Sequence, residues 1–334
     1  MDVGIIGTGW VAGEHLGALR KIPRVRVAGI AGRNTDRARE LARKAAEWGE
    51  EPQVWDDGVS MVKEARFDAV LVLLPPHLHG DLEFELAGRV PAVFIEKPVG
   101  RDGKTVDAVA EAFEREGTLV SVGYMNRYRR STETVRALMT SPEERPVLIN
   151  GWWITPMPPP LWWRTKEQSG GQFVEQCTHL VDLARWIGGE ITAVSAFSTR
   201  GFVDQPGFTV DDAVTVNARF AGGALGNFTT GCFPLGSTST GRGMDGVGMT
   251  FSSKTTQCTL TGWSMDLDWK DHKGSGDSFL SEEDIFAVQD QAFVQAALTG
   301  DRTLIRSTYP DAAITLKVTL AAEESALTGR VVAV

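Results

Sequence analysis

The length, composition and charge of the chain exclude several classes of protein. Its 334 residues suggest about two domains, and a chain of this size buries enough surface to fold without disulfides or a structural metal. Lys and Arg number 34 against 43 Asp and Glu, a net charge of −9, and neither half is basic; we therefore expect no nucleic-acid partner. The three cysteines, Cys177, Cys232 and Cys258, form no C-x-x-C motif, which indicates neither a zinc site nor a disulfide framework.

The chain also lacks the patterns typical of secretion and of membrane insertion. Its N-terminus enters the apolar run Val3–Ile6 without a basic region before it, unlike a signal peptide. No apolar run approaches the ~18 residues that a membrane helix needs. We therefore expect a cytoplasmic protein with no membrane partner.

Residues 1–123 alternate between short apolar runs and helical segments. The runs are rich in Val, Ile and Leu and end at Gly or Pro, as strands buried on both faces do. They are Val3–Ile6, Val25–Ile30, a weaker run at Val54, Ala69–Leu74, Ala92–Ile95 and Leu119–Val122. Helices are predicted at Asp36–Trp48 and from Asp102, a candidate cap, to Glu116. This alternation predicts an α/β fold, a doubly wound parallel sheet of the Rossmann type.

The pattern changes in residues 124–334. In Asp212–Phe220 apolar and polar side chains alternate, and after a turn at Ala221-Gly222-Gly223 the chain returns through Ala224–Phe233, which predicts a hairpin with one solvated face. The other predicted strands are Pro146–Ile154, Ile191–Phe202, Val247–Ser252 and Gln257–Leu260, and helices are predicted near Thr132–Met139 and at Glu282–Leu298 and Asp311–Thr328. This half is predicted to be an α+β domain on a mainly antiparallel sheet, for substrate binding and oligomerisation. The glycine-rich Thr230–Gly248 is expected to be a mobile loop or an extended hairpin tip.

A glycine-rich turn follows the first predicted strand. Gly7, Gly9 and Ala12 form the pattern G-x-G-x-x-A: the first glycine allows a tight turn, the second lets backbone approach a pyrophosphate, and the alanine permits close helix packing. The helix N-terminus then offers N–H groups and a positive dipole end to phosphate. We expect residues 7–12 to bind a dinucleotide, with contacts also from Thr8, Trp10 and Val11.

The end of the second strand bears on which dinucleotide is bound. In Rossmann folds an acidic residue about 20 positions after the phosphate turn holds the ribose 2′-hydroxyl of NAD, but the chain has Gly32-Arg33-Asn34 there. Gly32 leaves room for a 2′-phosphate and Arg33 offers it a charged partner. Asp36 is better placed to open the next helix. We therefore expect NADP to be preferred over NAD; alternatively, Arg33 stacks on adenine and both cofactors are used.

Four further segments identify a family. They are Leu74-Pro75-Pro76-His77-Leu78-His79, Glu96-Lys97-Pro98, Gly123-Tyr124-Met125-Asn126-Arg127, and Gly170-Gly171 followed by His179-Leu180-Val181-Asp182. In this order and spacing the chain resembles the Gfo/Idh/MocA family over nearly its whole length. The resemblance implies NAD(P)-dependent oxidation or reduction of a secondary alcohol or ketone in a sugar, a sugar derivative or a cyclic polyol. Leu74-Pro75-Pro76 departs from the Thr-Pro-Asn of many relatives, which removes two polar groups.

The resemblance also implies which residues carry the chemistry. Lys97 matches the lysine that contacts substrate and cofactor, and His179 matches the histidine that transfers a proton. Glu175 stands where the family usually has Asp; four residues before His179, it is expected on the same face of one helix, where a carboxylate can orient an imidazole. Leu74, Pro75, His79 and Glu96 are expected to join Lys97 at the cofactor. We expect no metal site, because His77 and His79 have no third ligand nearby in the sequence.

The expected substrate contacts come from several segments. Trp163 and Arg164 combine an aromatic face for sugar C–H groups with a donor of several hydrogen bonds. The full set is Tyr124, Asn126, Arg127, Trp163, Arg164, His179 and Asp182. Asp182 could equally be a substrate contact or a structural partner of another side chain. The tryptophans, which also include Trp152, Trp153 and Trp162, could instead belong to a hydrophobic core or interface.

Two other functions fit the same scaffold. An NAD-dependent glycosidase would use transient oxidation to cleave its substrate, and a ligand sensor would bind without turnover, although Lys97 and His179 argue against the sensor. The resemblance also implies a homodimer or homotetramer.

Overall fold

The computed structural model describes residues 1–203, 205–233 and 246–334, and the chain divides into two compact units. The first unit comprises Met1–Met125 and Asp284–Ala313, and the second comprises Asn126–Glu283 and Ile314–Val334. The sequence suggested a single division, into residues 1–123 and 124–334. The structure differs from it in the late segment Asp284–Ala313, which joins the first unit. The functions assigned to the two domains stay predictions.

The first unit contains a parallel sheet. Its strands are β1 (Asp2–Ile6), β2 (Arg26–Ala31), β3 (Gln53–Trp55), β4 (Ala69–Val72), β5 (Ala92–Ile95) and β6 (Leu119–Val122), in the order β3-β2-β1-β4-β5-β6. The chain order reverses at β1, so that β2 and β4 flank it, and all pairs are parallel. This is the predicted doubly wound Rossmann sheet.

Helices connect these strands, and local sequence fixes their ends. They are α1 (Trp10–Leu19), α2 (Thr35–Ala46), α3 (Gly58–Glu64), α4 (Asp81–Leu86) and α5 (Gly103–Glu116). The predicted cap of α5 is confirmed: the Asp102 carboxylate accepts the N–H of Thr105 at 2.8 Å. At the other end Gly117 adopts the left-handed conformation with φ of 71°, which glycine tolerates without strain.

The register of the sheet places several sequence motifs at one edge. Ile6 lies beside Val72, Val72 beside Ile95, and Ile95 beside Val122. The residues that follow these strands, Gly7, Leu73, Glu96 and Gly123, therefore leave the sheet together at its carboxyl edge. Doubly wound folds bind ligands at this edge.

The second unit contains a larger sheet. Its strands are β7 (Leu148–Ile154), β8 (Ile191–Thr199), β9 (Ala213–Phe220), β10 (Leu225–Gly231), β11 (Val247–Ser252), β12 (Thr256–Thr261), β13 (Asp266–Asp271), β14 (Gly276–Phe279) and β15 (Val332–Ala333). Among the described residues the order is β14-β13-β12-β11-β7-β10-β9-β8-β15. The β7–β10 pair is parallel and the other described pairs are antiparallel. The mainly antiparallel sheet is thus confirmed, but β13, β14 and β15 were not predicted.

One face of this sheet is buried against helices. In β9, Val214 and Val216 are buried while Thr215 and Asn217 are exposed, which confirms the predicted alternation. The helices are α6 (Arg130–Met139), α7 (Lys166–Ser169), α8 (Gly171–Glu175) and α9 (Thr178–Gly188). Of the predicted loop Thr230–Gly248, residues 234–245 lie outside the described residues.

Two long helices precede β15, namely α10 (Ile285–Thr299) and α11 (Tyr309–Thr328). Asp284 caps α10 by accepting the N–H of Ala287 at 3.2 Å. Phe293 of α10 is fully buried and packs edge-on against Phe94 of β5, with 5.7 Å between ring centroids. This contact explains why the segment belongs to the first unit. Among the described residues, none of the helices has both the length and the apolar character that crossing a bilayer requires.

Candidate functional site

The candidate phosphate cradle is the turn between β1 and α1. Gly7 has φ of 119°, and a Cβ on it would stand 2.2 Å from the Leu73 carbonyl oxygen, so this position requires glycine. Gly9 precedes α1 and has open space where its Cβ would be, which permits close approach of a ligand. Ala12 is fully buried. The predicted neighbours Thr8, Trp10 and Val11 are exposed or half-buried. The positive φ of Gly7, the open space at Gly9 and the burial of Ala12 agree with the roles that the sequence suggested for these three residues. Phosphate binding by the turn stays a prediction.

The end of β2 holds no acidic side chain. Gly32 follows the strand, but a Cβ on it would stand 2.5 Å from the Thr8 methyl carbon, so Thr8 occupies the space that was expected to be open. Arg33 is exposed. Asn34 caps α2, since its side chain accepts the N–H of Arg37 at 3.1 Å. Asp36 lies in the first turn of α2, as expected.

His79 braces the loop that follows β4. One ring nitrogen, Nδ1, lies 2.6 Å from Glu83 Oε1, and the other lies 3.1 Å from the carbonyl oxygen of Leu74. The second oxygen of Glu83 accepts the N–H of Gly80 at 2.6 Å. His79 thereby fixes the backbone at Leu74 and Pro75, two predicted cofactor contacts. The contact of this loop with a cofactor stays a prediction.

Glu96 and Lys97 follow β5, where Glu96 is buried and Lys97 half-buried. The backbone N–H of Lys97 donates to Glu96 Oε2 at 3.1 Å. Glu96 Oε1 lies 3.3 Å from Nε2 of His15, a fully buried residue of α1. The His15 Nδ1 atom lies 2.9 Å from both carboxylate oxygens of Asp290 in α10. Sequence reasoning missed His15 and Asp290, because a contact across 275 positions leaves no local pattern.

Glu175 and His179 lie on two helices rather than on one. The chain leaves α8 at Glu175 and enters α9 at Thr178, and between them the Cys177 N–H bonds to the Gln172 carbonyl and the His179 N–H to the Gln176 carbonyl. The expected continuous helix is therefore wrong, and the four-residue spacing alone does not align the two side chains. Both side chains are buried.

Trp153 of β7 packs against the His179 ring. The two rings are stacked, with 5.8 Å between centroids and 17° between planes. Trp153 in turn meets Trp263 edge-on at 6.1 Å, and it is almost fully buried. The imidazole thus packs against an aromatic face, a contact that the sequence did not reveal.

Arg127 and Asp182, both expected at the substrate, bind each other. Arg127 donates from Nε and Nη2 to the two Asp182 oxygens at 2.7 and 2.6 Å, and both side chains are buried. The Thr315 hydroxyl donates to Asp182 at 3.2 Å, and Arg185 donates to Thr315 at 2.5 Å and to Glu190 at 2.9 and 3.0 Å. This geometry favours the structural alternative for Asp182.

The other expected substrate contacts differ in their surroundings. Asn126 is buried and accepts from Arg129 Nε at 2.8 Å, and Tyr124 is buried. Trp163 is buried and packs beside Trp162 at 5.3 Å, whereas Arg164 is half-buried. Arg164 is therefore the more accessible of the expected aromatic–arginine pair.

The cysteines are unsuited to nucleophilic chemistry. Burial raises the pKa of the Cys177 thiol far above its usual value, and burial together with nearby carboxylates raises the pKa values of Cys232 and Cys258 to about 12. They stay thiols at neutral pH, and the thiolate is the reactive form. Among the residues that the structure describes, no three His, Cys, Asp or Glu side chains gather as a metal site needs.

Comparison with known families agrees with this geometry. Residues 1–124 match the NAD-binding Rossmann-fold domain of the Gfo/Idh/MocA oxidoreductases, and residues 144–239 match the C-terminal domain of the same family. The chain belongs to the Gfo/Idh/MocA family. Its two matched regions cover both the phosphate turn and the helices that carry Glu175 and His179.

Relatives of known name share about a quarter to a third of their aligned residues with the chain. Inositol 2-dehydrogenase of Rubrobacter xylanophilus is 29% identical over 68% of this chain, and the match spans 64% of that enzyme, a little under two thirds of its length. Myo-inositol 2-dehydrogenase of Thermotoga maritima is 29% identical over 68% of this chain and 67% of its own. Levoglucosan dehydrogenase of Pseudarthrobacter phenanthrenivorans is 26% identical over 68% and 66%.

Solved structures share the fold over the whole chain. An oxidoreductase from Agrobacterium radiobacter in complex with NAD+, L-tartaric acid and magnesium superposes with a TM-score of 0.85, at 17% identity, over 100% of this chain and 98% of its own. Levoglucosan dehydrogenase in complex with NADH gives a TM-score of 0.83 at 20% identity, over 100% and 99%. At these identities the likeness establishes the fold.

Proposed function

We propose that the protein is an NAD(P)-dependent oxidoreductase that acts on a secondary alcohol or ketone of a sugar, a sugar derivative or a cyclic polyol. The observation that carries this proposal is the phosphate cradle at Gly7 and Gly9, which opens a chain whose two domains both match one oxidoreductase family. The relatives named for inositols and levoglucosan support the polyol or sugar class of substrate.

In this proposal the bound nicotinamide supplies hydride acceptance and donation, and the chain supplies position, charge and proton transfer. Lys97 stabilises negative charge on the reacting oxygen, because an ammonium lowers the energy of a developing alkoxide. His179, whose ring packs against Trp153, takes the hydroxyl proton. Glu175 assists His179, and Arg164 with Trp163 contacts the sugar hydroxyls and C–H faces.

Turnover with a panel of substrates tests the function. The wild-type protein is expected to reduce NAD or NADP with an inositol, levoglucosan or another sugar or polyol, read as absorbance of the reduced nicotinamide. Cleavage of a glycoside without net reduction would instead indicate the glycosidase. Ligand binding with no turnover of any panel member would indicate the sensor.

Removal of the Lys97 amine tests the chemical assignment. Lys97→Ala is expected to lower kcat by about 10²–10³, the range for loss of one group that stabilises a developing oxyanion, while the Kd of the cofactor changes little. His179→Asn is expected to lower kcat strongly as well. Wild-type turnover in a folded Lys97→Ala protein would contradict the assignment.

We further propose that NADP is preferred over NAD. The proposal rests on the absence of an acid at Gly32-Arg33-Asn34 and on the exposure of Arg33; the side chain of Thr8 beside Gly32 gives it no support. Arg33→Ala is expected to raise KM for NADP about tenfold, as expected when a charge-assisted phosphate contact is lost, and to leave KM for NAD unchanged. Since related structures hold NAD or NADH, a higher wild-type kcat/KM with NAD is the contrary result.

A homodimer or homotetramer is also proposed, and light scattering on the purified protein tests it. A monomer at micromolar concentration would contradict it. The cytoplasmic location stays a prediction.

A further inference from the structure

Three ionisable side chains meet in the interior of the first unit. His15, Asp290 and Glu96, which we call the His15 cluster, are 0%, 1% and 8% exposed. Two aromatic rings enclose the imidazole edge-on, Phe94 at 5.0 Å and Phe286 at 5.3 Å between centroids. Burial of charge in such surroundings is costly unless each charge is paired. Hydrophobic packing alone therefore does not explain why three ionisable side chains are buried here.

The two carboxylates around His15 favour its doubly protonated form. Nδ1 faces the Asp290 carboxylate and Nε2 faces the Glu96 carboxylate, and ionised carboxylates only accept hydrogen bonds. A neutral imidazole has one N–H and would turn a lone pair toward one carboxylate. The imidazolium has two N–H groups and satisfies both. Burial alone would lower the pKa of His15, but Asp290 and Glu96 outweigh it and raise the pKa to about 10.

The cluster ends at the backbone of Lys97. Glu96 uses one oxygen for His15 and the other for the Lys97 N–H. Gly123 makes room for this carboxylate, since a Cβ there would stand 2.5 Å from Glu96 Oε1. His15 thus holds one oxygen of the Glu96 carboxylate, and the other oxygen holds the Lys97 N–H group.

We propose that His15 and Asp290 are positioning residues for Lys97: Asp290 holds a doubly protonated His15, His15 holds the Glu96 carboxylate, and this carboxylate fixes the backbone from which the Lys97 amine extends. The proposal rests on the proposed function in taking Lys97 as the catalytic amine. His15 and Asp290 are buried in the interior and act through Glu96. His15 also lies on α1, the helix that begins at the phosphate cradle, so one imidazole joins that helix to the lysine segment.

A split between kcat and KM distinguishes positioning from general support of the fold. His15→Gln and Asp290→Asn remove the bridging charge while roughly keeping side-chain volume. Each is expected to lower kcat about 10- to 100-fold, the effect of a misplacement near 1 Å, while KM for the cofactor stays within about threefold. Two variants are used so that one remains if the other does not fold.

Val294→Ala is the matched control. Val294 is buried on the same helix, one turn after Asp290. Its truncation destabilises the unit and leaves the charges and hydrogen bonds of the His15 cluster in place. It is expected to lower the melting temperature and to leave kcat unchanged. Wild-type kcat in both folded charge variants overturns the proposal, and so does an equal loss of kcat in Val294→Ala.

Hydrogen–deuterium exchange at the Lys97 amide, followed by NMR, tests the proposal without turnover. In His15→Gln and Asp290→Asn this amide is expected to exchange about tenfold faster than in the wild type and in Val294→Ala, because the hydrogen bond to Glu96 loosens. Unchanged exchange overturns the proposal. The two proposals can fail separately. If the wild type reduces no cofactor with any polyol but the variants show faster exchange, the proposed function is refuted and the positioning role is retained. If the wild type turns over normally and exchange is unchanged in the variants, the positioning role is refuted and the proposed function is retained.

Discussion

Each unit contains an ion network around a buried cation, and the two networks differ in the chemistry of that cation. In the first unit the His15 cluster places an imidazole between two carboxylates. In the second, the Arg127 cluster, which comprises Arg127, Asp182, Arg185, Glu190 and Thr315, places guanidinium groups against carboxylates. A guanidinium stays charged at every physiological pH, whereas an imidazole changes its charge when its surroundings change.

The difference indicates different tasks. The Arg127–Asp182 pair is bidentate, a geometry that fixes two segments rigidly and permanently. The His15 cluster ends on Lys97, at the edge of the sheet where ligands are expected. We therefore propose that the Arg127 cluster serves stability and that the His15 cluster positions Lys97, the proposed catalytic amine. Three experiments test this distinction.

The largest effect is expected from Asp182→Ala. Breaking a buried ion pair from one side costs about 3–5 kcal/mol of unfolding free energy, because Arg127 loses the carboxylate that balances its buried charge. Thermal unfolding measures this as a fall in melting temperature of roughly 10 °C. Replacement of both partners, Arg127→Met with Asp182→Leu, is the control and is expected to recover much of the loss. An unchanged melting temperature with a raised KM for the sugar would instead make Asp182 a substrate contact.

Raising the pH should weaken the first network and spare the second. The pKa of His15 is raised to about 10 from an ordinary 6.5, so its contribution to stability is complete below about 6.5 and is lost as the pH rises through 10. The expected loss is on the order of 2 kcal/mol. Burial also raises the pKa of the Asp290 carboxyl, which changes stability in the same direction as the pH rises. Melting temperatures of wild type and His15→Gln are expected to converge between pH 7 and pH 10. A constant difference would mean that His15 does not titrate in this range.

The first unit was the more predictable from sequence, for a physical reason. Strands buried on both faces, such as Ala92–Ile95 and Leu119–Val122, read as continuous apolar runs and were predicted with their observed bounds. In the second unit, β13 alternates Leu267 and Trp269 with charged residues, a pattern shared with exposed loops. The packing of α10 in the first unit depends on tertiary contacts, and the periodicity of apolar residues in the sequence carries no information about such contacts.

The site was predictable where function depends on backbone and unpredictable where it depends on distant partners. The turn at Gly7 and Gly9 is a local motif, and its observed geometry explains each glycine. The bond between Arg127 and Asp182 joins two residues that were each expected at the substrate, and nothing in the spacing of 55 positions indicates that they meet. The break between α8 and α9 lies in Gln176-Cys177, where no glycine or proline interrupts the sequence.

The smallest effect, and the most specific one, is expected from Gly123→Ala. A methyl group at this position would stand 2.5 Å from Glu96 Oε1 and 2.9 Å from its carboxyl carbon, so the carboxylate must move, and its bonds to His15 and to the Lys97 N–H must lengthen. We expect kcat to fall about tenfold, equal to about 1.4 kcal/mol of transition-state stabilisation, with KM for the cofactor unchanged.

The matched control for this substitution is Gly17→Ala in α1. It has open space around the added methyl group and replaces a helical glycine, which should stabilise the protein slightly and leave kcat as in the wild type. Gly123→Ala could keep wild-type kcat while its Lys97 amide exchanges faster than in the wild type. That result would show that the Glu96 carboxylate holds the Lys97 backbone in the wild type, but that this backbone does not set the reactivity of the lysine. The His15 cluster would then resemble the Arg127 cluster in serving stability alone, and the distinction between the two networks would be reduced to their response to pH.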